Sequence, residues 1–114
     1  MKKVLLIIAL AFLAGPLHAQ ASHSVALTWT DTTNPAATVY NVYRATALTC
    51  SATSTFTKVG SNVAAKTYTD SFSNSGSYCY QVTSVSGGIE SNPSNQVLVL
   101  IKPDPPTNLQ AVYQ

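Results

Sequence analysis

Charged side chains are scarce in this sequence: six Lys/Arg and four Asp/Glu occur in 114 residues. Lys2 and Lys3 stand at the N-terminus, and the remainder balance, Arg44, Lys58, Lys66 and Lys102 against Asp31, Asp70, Glu90 and Asp104. Beyond its first residues the chain therefore offers no basic footprint for nucleic acid or anionic lipid. Histidine is scarcer still, with only His18 and His23, too few and too near the N-terminus for a metal pair or a Ser–His–Asp set. Asp31 and Asp70 could be imagined as an acid–base couple, but both read better as turn residues that bond local backbone. Gly87-Gly88 lacks the spacing and the lysine of a phosphate loop, and Asn74-Ser75-Gly76 and Asn92-Pro93-Ser94 fail the glycosylation pattern. These absences predict a chain that is no enzyme and holds no cofactor or metal. Between Ser22 and Ile101 no stretch has a helical period.

The N-terminus is informative. Met1-Lys2-Lys3 is a short basic segment, Val4 to Ala14 is an uninterrupted apolar run, and Gly15-Pro16 breaks any helix. Small residues follow at Leu17-His18-Ala19 and Ala19-Gln20-Ala21. This is the pattern of a secretory signal peptide over residues 1–21, cleaved after Ala19 or Ala21. A retained anchor is the alternative, but the run is short of the roughly 20 residues needed to cross a bilayer. The expected location is secreted, periplasmic or extracellular, with no membrane anchor after cleavage.

In an exported chain two cysteines, Cys50 and Cys79, read as one disulfide. Without nearby histidines they cannot complete a zinc site. Closing a loop of this length is worth about 3.5 kcal/mol in the chain-entropy model.

Alternation supplies the strands. Val25, Leu27 and Trp29 share a face within Ser24–Thr30; Tyr40 and Val42 share one within Val39–Arg44; Tyr78, Tyr80 and Val82 share one within Tyr78–Val85. Phe56–Gly60, Thr67–Asp70 with Tyr68 inward, and Gln96–Ile101 complete the set, separated by turn-rich segments such as Asn34-Pro35 and Gly87-Gly88. Trp29 is read as core rather than as a ligand platform, because it shares parity with two aliphatics. Tyr43 lies on the outward parity beside Arg44, and the two form a candidate binding surface; a cross-strand pair with a half-buried arginine stem is the alternative. Short strands at regular spacing indicate an all-β sandwich.

At this level the chain resembles a fibronectin type III module, of the kind found in secreted bacterial proteins, over residues 22–101. Val25–Trp29 resembles the family's strand B with its buried tryptophan, Tyr40–Arg44 its strand C, Thr67–Asp70 its strand E, and Gly76-Ser77-Tyr78 with Tyr80 and Val82 the turn into strand F. The resemblance implies an immunoglobulin-like fold in which the Tyr78 hydroxyl bonds upstream backbone. It also implies that Cys79 faces away from the inter-sheet core, so that the bridge pins the connection after strand C onto the outer face of the C–F sheet. Strand A has no counterpart before Ser24. Instead Pro105–Val112 resembles the first strand of a following module, so residues 102–114 read as a linker and a truncated strand. The alternative to such a stub is a donated strand, giving head-to-tail self-association through residues 105–113.

Function is less legible. The leading expectation is a secreted non-catalytic module that spaces domains or binds another protein. The alternatives are a small carbohydrate- or ligand-binding protein using exposed aromatics such as Tyr43 and Tyr113, or the appendage of a longer extracellular enzyme. The partner, protein or glycan, is not specified by the residues.

Overall fold

The computed structural model describes residues 22–72 and 74–114; the expected signal segment, residues 1–21, lies outside them. Seven strands follow in order: β1 (His23–Thr28), β2 (Val39–Thr46), β3 (Thr57–Val63), β4 (Thr67–Phe72), β5 (Gly76–Ser86), β6 (Ile89–Glu90) and β7 (Val97–Ile101). The described residues contain no helix. β1 pairs with β4 in a two-stranded sheet, and a second sheet runs β3-β2-β5, with β6 and β7 both along the far side of β5. Every pairing is antiparallel. The two sheets pack face to face, so the chain is an all-β, two-layer structure.

The alternation explains this packing. Val25, Tyr40, Val42, Tyr78 and Tyr80 are buried, and Leu27, Trp29, Tyr68 and Val82 are half-buried at the edge of the same cluster. Each fully buried side chain of this size contributes about 1.5–3 kcal/mol. Trp29 meets the Tyr40 ring edge-on, with centroids 5.3 Å apart. Two strands run longer than alternation alone suggests, β5 by two residues at its start and β2 by two at its end, whereas β1 stops at Thr28, short of the expected Thr30.

One polar group lies between the layers. Asp70 sits on β4 at the same parity as Tyr68 and Phe72, and it is buried. Its Oδ2 accepts from Arg44 Nη1 at 2.7 Å and from the Tyr80 hydroxyl at 2.7 Å. The Arg44 guanidinium also lies over the rings of Phe72 and Tyr78, 5.1 and 5.6 Å from their centroids. Asp70 is thus no turn residue; it ties the sheets together. Asp31 does cap a turn, its Oδ1 accepting from the Thr33 and Asn34 amides.

Cys50 and Cys79 form a disulfide across 29 residues. Cys79 lies between Tyr78 and Tyr80, which face the other layer, so the bridge crosses the outer face of the β2–β5 sheet. Such a bond is compatible with an oxidising compartment. Two glycine positions serve the geometry. Gly87 and Gly88 have φ of 58° and 78°, the pair of positive values a tight two-residue hairpin needs. Gly60 is buried under Tyr68, and a Cβ there would lie 2.9 Å from that ring.

Candidate functional site

The candidate surface was Tyr43 with Arg44. Consecutive strand residues point to opposite faces, and the structure separates the two accordingly. Arg44 turns inward to Asp70, with 28% of its side chain exposed. Tyr43 turns outward, into a polar network on the exposed face of the β2–β5 sheet. Its hydroxyl donates to Glu90 Oε1, which also accepts from the Thr83 hydroxyl at 2.6 Å. Asn41 Nδ2 approaches the same oxygen at 3.4 Å, while Asn41 Oδ1 accepts from the Asn62 amide. Lys58 Nζ lies 5.8 Å from the Tyr43 ring centroid. Asn62 takes a positive φ of 53°, which asparagine tolerates well, and the β2–β3 register shifts beside it, between Tyr40 and Val42. That irregularity brings the Asn62 amide to Asn41.

The donors that converge on Glu90 hold its carboxyl down at about 2, Thr83 first, then Tyr43 and Asn41. The same hydrogen bond, together with burial, raises the Tyr43 phenol. Glu90 is therefore an anion tied to neighbouring donors, and Tyr43 is held by it. Among the described residues the close aromatic pairs are Trp29–Tyr40 and Phe72–Tyr78, so Tyr43 joins no aromatic platform. Tyr113 is fully exposed in the tail.

A second polar cluster lies where β1 ends. The Asp31 carboxylate accepts from Asn34 Nδ2 at 2.8 Å and from the Tyr40 hydroxyl at 2.8 Å. These bonds, that from the Asn34 side chain foremost, hold it far below the usual carboxylate range. With Trp29, Ser84 and residues 91–94 the cluster lines a shallow pocket of about 220 Å³.

The third feature is a flank of the two-stranded sheet. β4 has no second strand partner among the described residues, although its inward Tyr68 packs on β3, donating its hydroxyl to the Val59 carbonyl at 2.6 Å. β1 has no strand on its other side among the described residues. Next to it opens a groove of about 490 Å³ lined by Leu27, Trp29, Tyr80, Val82 and Val97 among others. Val97 pairs with Tyr80 and so belongs to the inner face, yet it is 48% exposed.

Sequence reasoning separated Tyr43 from the core but missed Glu90 as its partner. It also missed the ion pair, although Arg44 shares the parity of Tyr40 and Val42, and Asp70 that of Tyr68. That shared parity was the available signal. No protein-family model and no curated protein matches the chain.

Proposed function

We propose that residues 22–101 form a fibronectin type III-like module of an exported protein, with no counterpart of its first strand among the described residues, and that it works by protein contact or as a spacer rather than by catalysis. The sheet order supports this reading: β1-β4 against β3-β2-β5-β7 corresponds to B-E against C′-C-F-G. So does the Tyr78 hydroxyl, which donates to the Asn74 carbonyl at 3.1 Å, the upstream bond of a tyrosine corner. The outer-face bridge is this chain's departure from the immunoglobulin pattern. Because fold alone does not specify function, the observation that carries the functional reading is how the carboxylates are used. Asp31, Asp70 and Glu90 each accept hydrogen bonds from two or more side chains, so each has a structural use, and the three lie in separate networks rather than as an acid–base pair.

The test is a side-by-side binding and turnover screen of the exported, disulfide-bonded chain. Retention of extended peptides, without glycan retention and without hydrolysis of model glycosides, esters or peptides, is the expected result. Glycan binding that is lost on Tyr43→Ala or Trp29→Ala would overturn it in favour of a lectin-like role. Turnover abolished by Asp31→Asn would overturn it in favour of an enzyme.

A further inference from the structure

We propose that the tail of one copy, residues 109–113, adds to the free flank of β1 in a second copy as an antiparallel strand, giving head-to-tail association. The inference deepens the protein-contact reading by naming the partner as the chain itself.

Four observations converge on it. The first is the unpaired edge. In an antiparallel ladder alternate residues of a strand point their amides and carbonyls to opposite sides, so half of those on β1 face away from β4. The second is the groove beside that edge, where Leu27, Trp29 and Val97 remain part-exposed. Apolar inner-face residues left open to water at a sheet edge are what an added strand covers.

The third observation is the tail. Leu109 is 96% exposed and Tyr113 100%. Leu109, Ala111 and Tyr113 share one parity, so as a strand they would present one apolar face to the groove. Five residues span about 17 Å when extended, close to the roughly 20 Å of a six-residue strand such as β1.

The fourth is polarity. β1 begins at the pole where His23 pairs with Phe72, and β7 ends at the same pole, where Ile101 pairs with Gly76. A tail folding back onto its own β1 would run parallel to it, the slightly weaker pairing. A tail continuing outward enters the next copy at the opposite pole and runs antiparallel to that copy's β1. Pro103, Pro105 and Pro106 favour the outward course, since a proline-rich segment is stiff and extended, at about 3.1 Å per residue. A contact of this kind joins different surfaces on the two copies and repeats without closing, so it produces a distribution of oligomers.

The experiment compares the exported chain with a form ending at Asp104, by sedimentation over a wide concentration range. The full chain is expected to self-associate in a concentration-dependent way and the shortened form to stay monomeric. A peptide of residues 105–114 should bind the shortened form, quench or enhance Trp29 fluorescence, and slow amide exchange over residues 23–28. In the full chain Ala111→Pro, which removes a strand donor, should weaken association about tenfold or more. A full chain that is monomeric throughout would overturn the proposal. So would association that survives the truncation, or a monomer whose tail protects its own β1. If the tail peptide fails to bind while an unrelated extended peptide occupies the same edge, the self-association falls and the protein-contact reading stands.

Discussion

In the larger sheet β2 and β5 are each paired on both sides, whereas in the β1–β4 pair both strands are edge strands. The pairing along β5 extends even to an irregular stretch. Between β6 and β7 the chain leaves the ladder at Pro93, yet Ser91 and Ser94 continue it. Their amides donate to the Ser84 and Val82 carbonyls, and their hydroxyls accept from the Ser84 and Val82 amides. The disulfide then ties the β2–β3 connection to β5. On the smaller sheet neither strand has a second hydrogen-bonded neighbour among the described residues, and β4 meets β3 only through its inward face, at Tyr68. The two layers are therefore expected to differ in local stability; besides the shared apolar core, the Arg44–Asp70–Tyr80 cluster links them.

Removing the staple should have the largest effect. Cys50→Ala with Cys79→Ala frees a connection that closes 29 residues of sequence, and about 3.5 kcal/mol of unfolding free energy should go with it. That is a large share of the roughly 5–15 kcal/mol expected for a small domain. Urea unfolding of the double variant checks the value. A loss below about 1 kcal/mol would mean that the ladder alone closes the larger sheet, and the contrast between the layers would rest on hydrogen bonding rather than on the bridge.

The link between the layers comes next. Asp70→Ala leaves Arg44 without its carboxylate and Tyr80 without its acceptor. Breaking a buried pair costs about 3–5 kcal/mol, and the lower end applies because Arg44 keeps 28% of its side chain in contact with solvent. Replacing both partners by apolar residues, Arg44→Met with Asp70→Leu, should recover much of that loss. Amide exchange sharpens the comparison: in the Asp70 variant β1 and β4 should open well before β2 and β5. If all four strands open together, the layers are more tightly coupled than their connections suggest.

How far the sequence revealed this architecture depends on what carried each signal. Burial of one sheet face repeats every second residue, so Val25–Leu27, Tyr40–Val42 and Tyr78–Val82 announced their strands and their inner faces directly. The two layers followed from strand spacing, and the disulfide followed from there being only two cysteines. The candidate site was less legible. Tyr43 was identified as outward, but its partner Glu90 comes 47 residues later, from a strand only two residues long that has no periodicity to detect. Asp70 was taken for a turn residue because aspartate is common in turns, a local preference that the inter-sheet pairing with Arg44 overrides. The open flank of β1 was foreseen only through the resemblance, since a missing neighbour leaves no mark on the strand that lacks it.

A smaller effect tests how the sheets fit where they cross. Gly60 on β3 lets the Tyr68 ring from β4 lie against the backbone, and a Cβ at this position would come within 2.9 Å of Cε2 and 3.1 Å of Cζ. Tyr68 cannot swing away freely, because its hydroxyl donates to the Val59 carbonyl. Gly60→Ala should therefore cost about 1–3 kcal/mol, the usual range for overpacking. The loss should appear first as faster exchange in β4. A neutral outcome would show that β3 and the Tyr68 ring fit loosely where the two sheets meet.

The smallest effect expected is a pH dependence, part of it from Glu90 on the larger sheet. Glu90 is held at about 2, below its ordinary 4.5, by the Thr83 and Tyr43 hydroxyls and Asn41. Because its folded value lies below its unfolded one, its contribution to stability is present above about pH 4.5 and is lost as the pH falls toward 2. Asp31 is displaced in the same direction, so the whole acid limb cannot be assigned to Glu90. The separation comes from Glu90→Gln, which removes its part of the limb and leaves that of Asp31. Tyr43→Phe, which deletes one donor, should move the midpoint of the Glu90 step upward toward the ordinary value. Thermal unfolding followed across this window distinguishes the two contributions. An acid limb of unchanged slope in Glu90→Gln would mean that solvent screens this exposed network completely. Any stability advantage of the larger sheet would then come from its ladder and bridge alone.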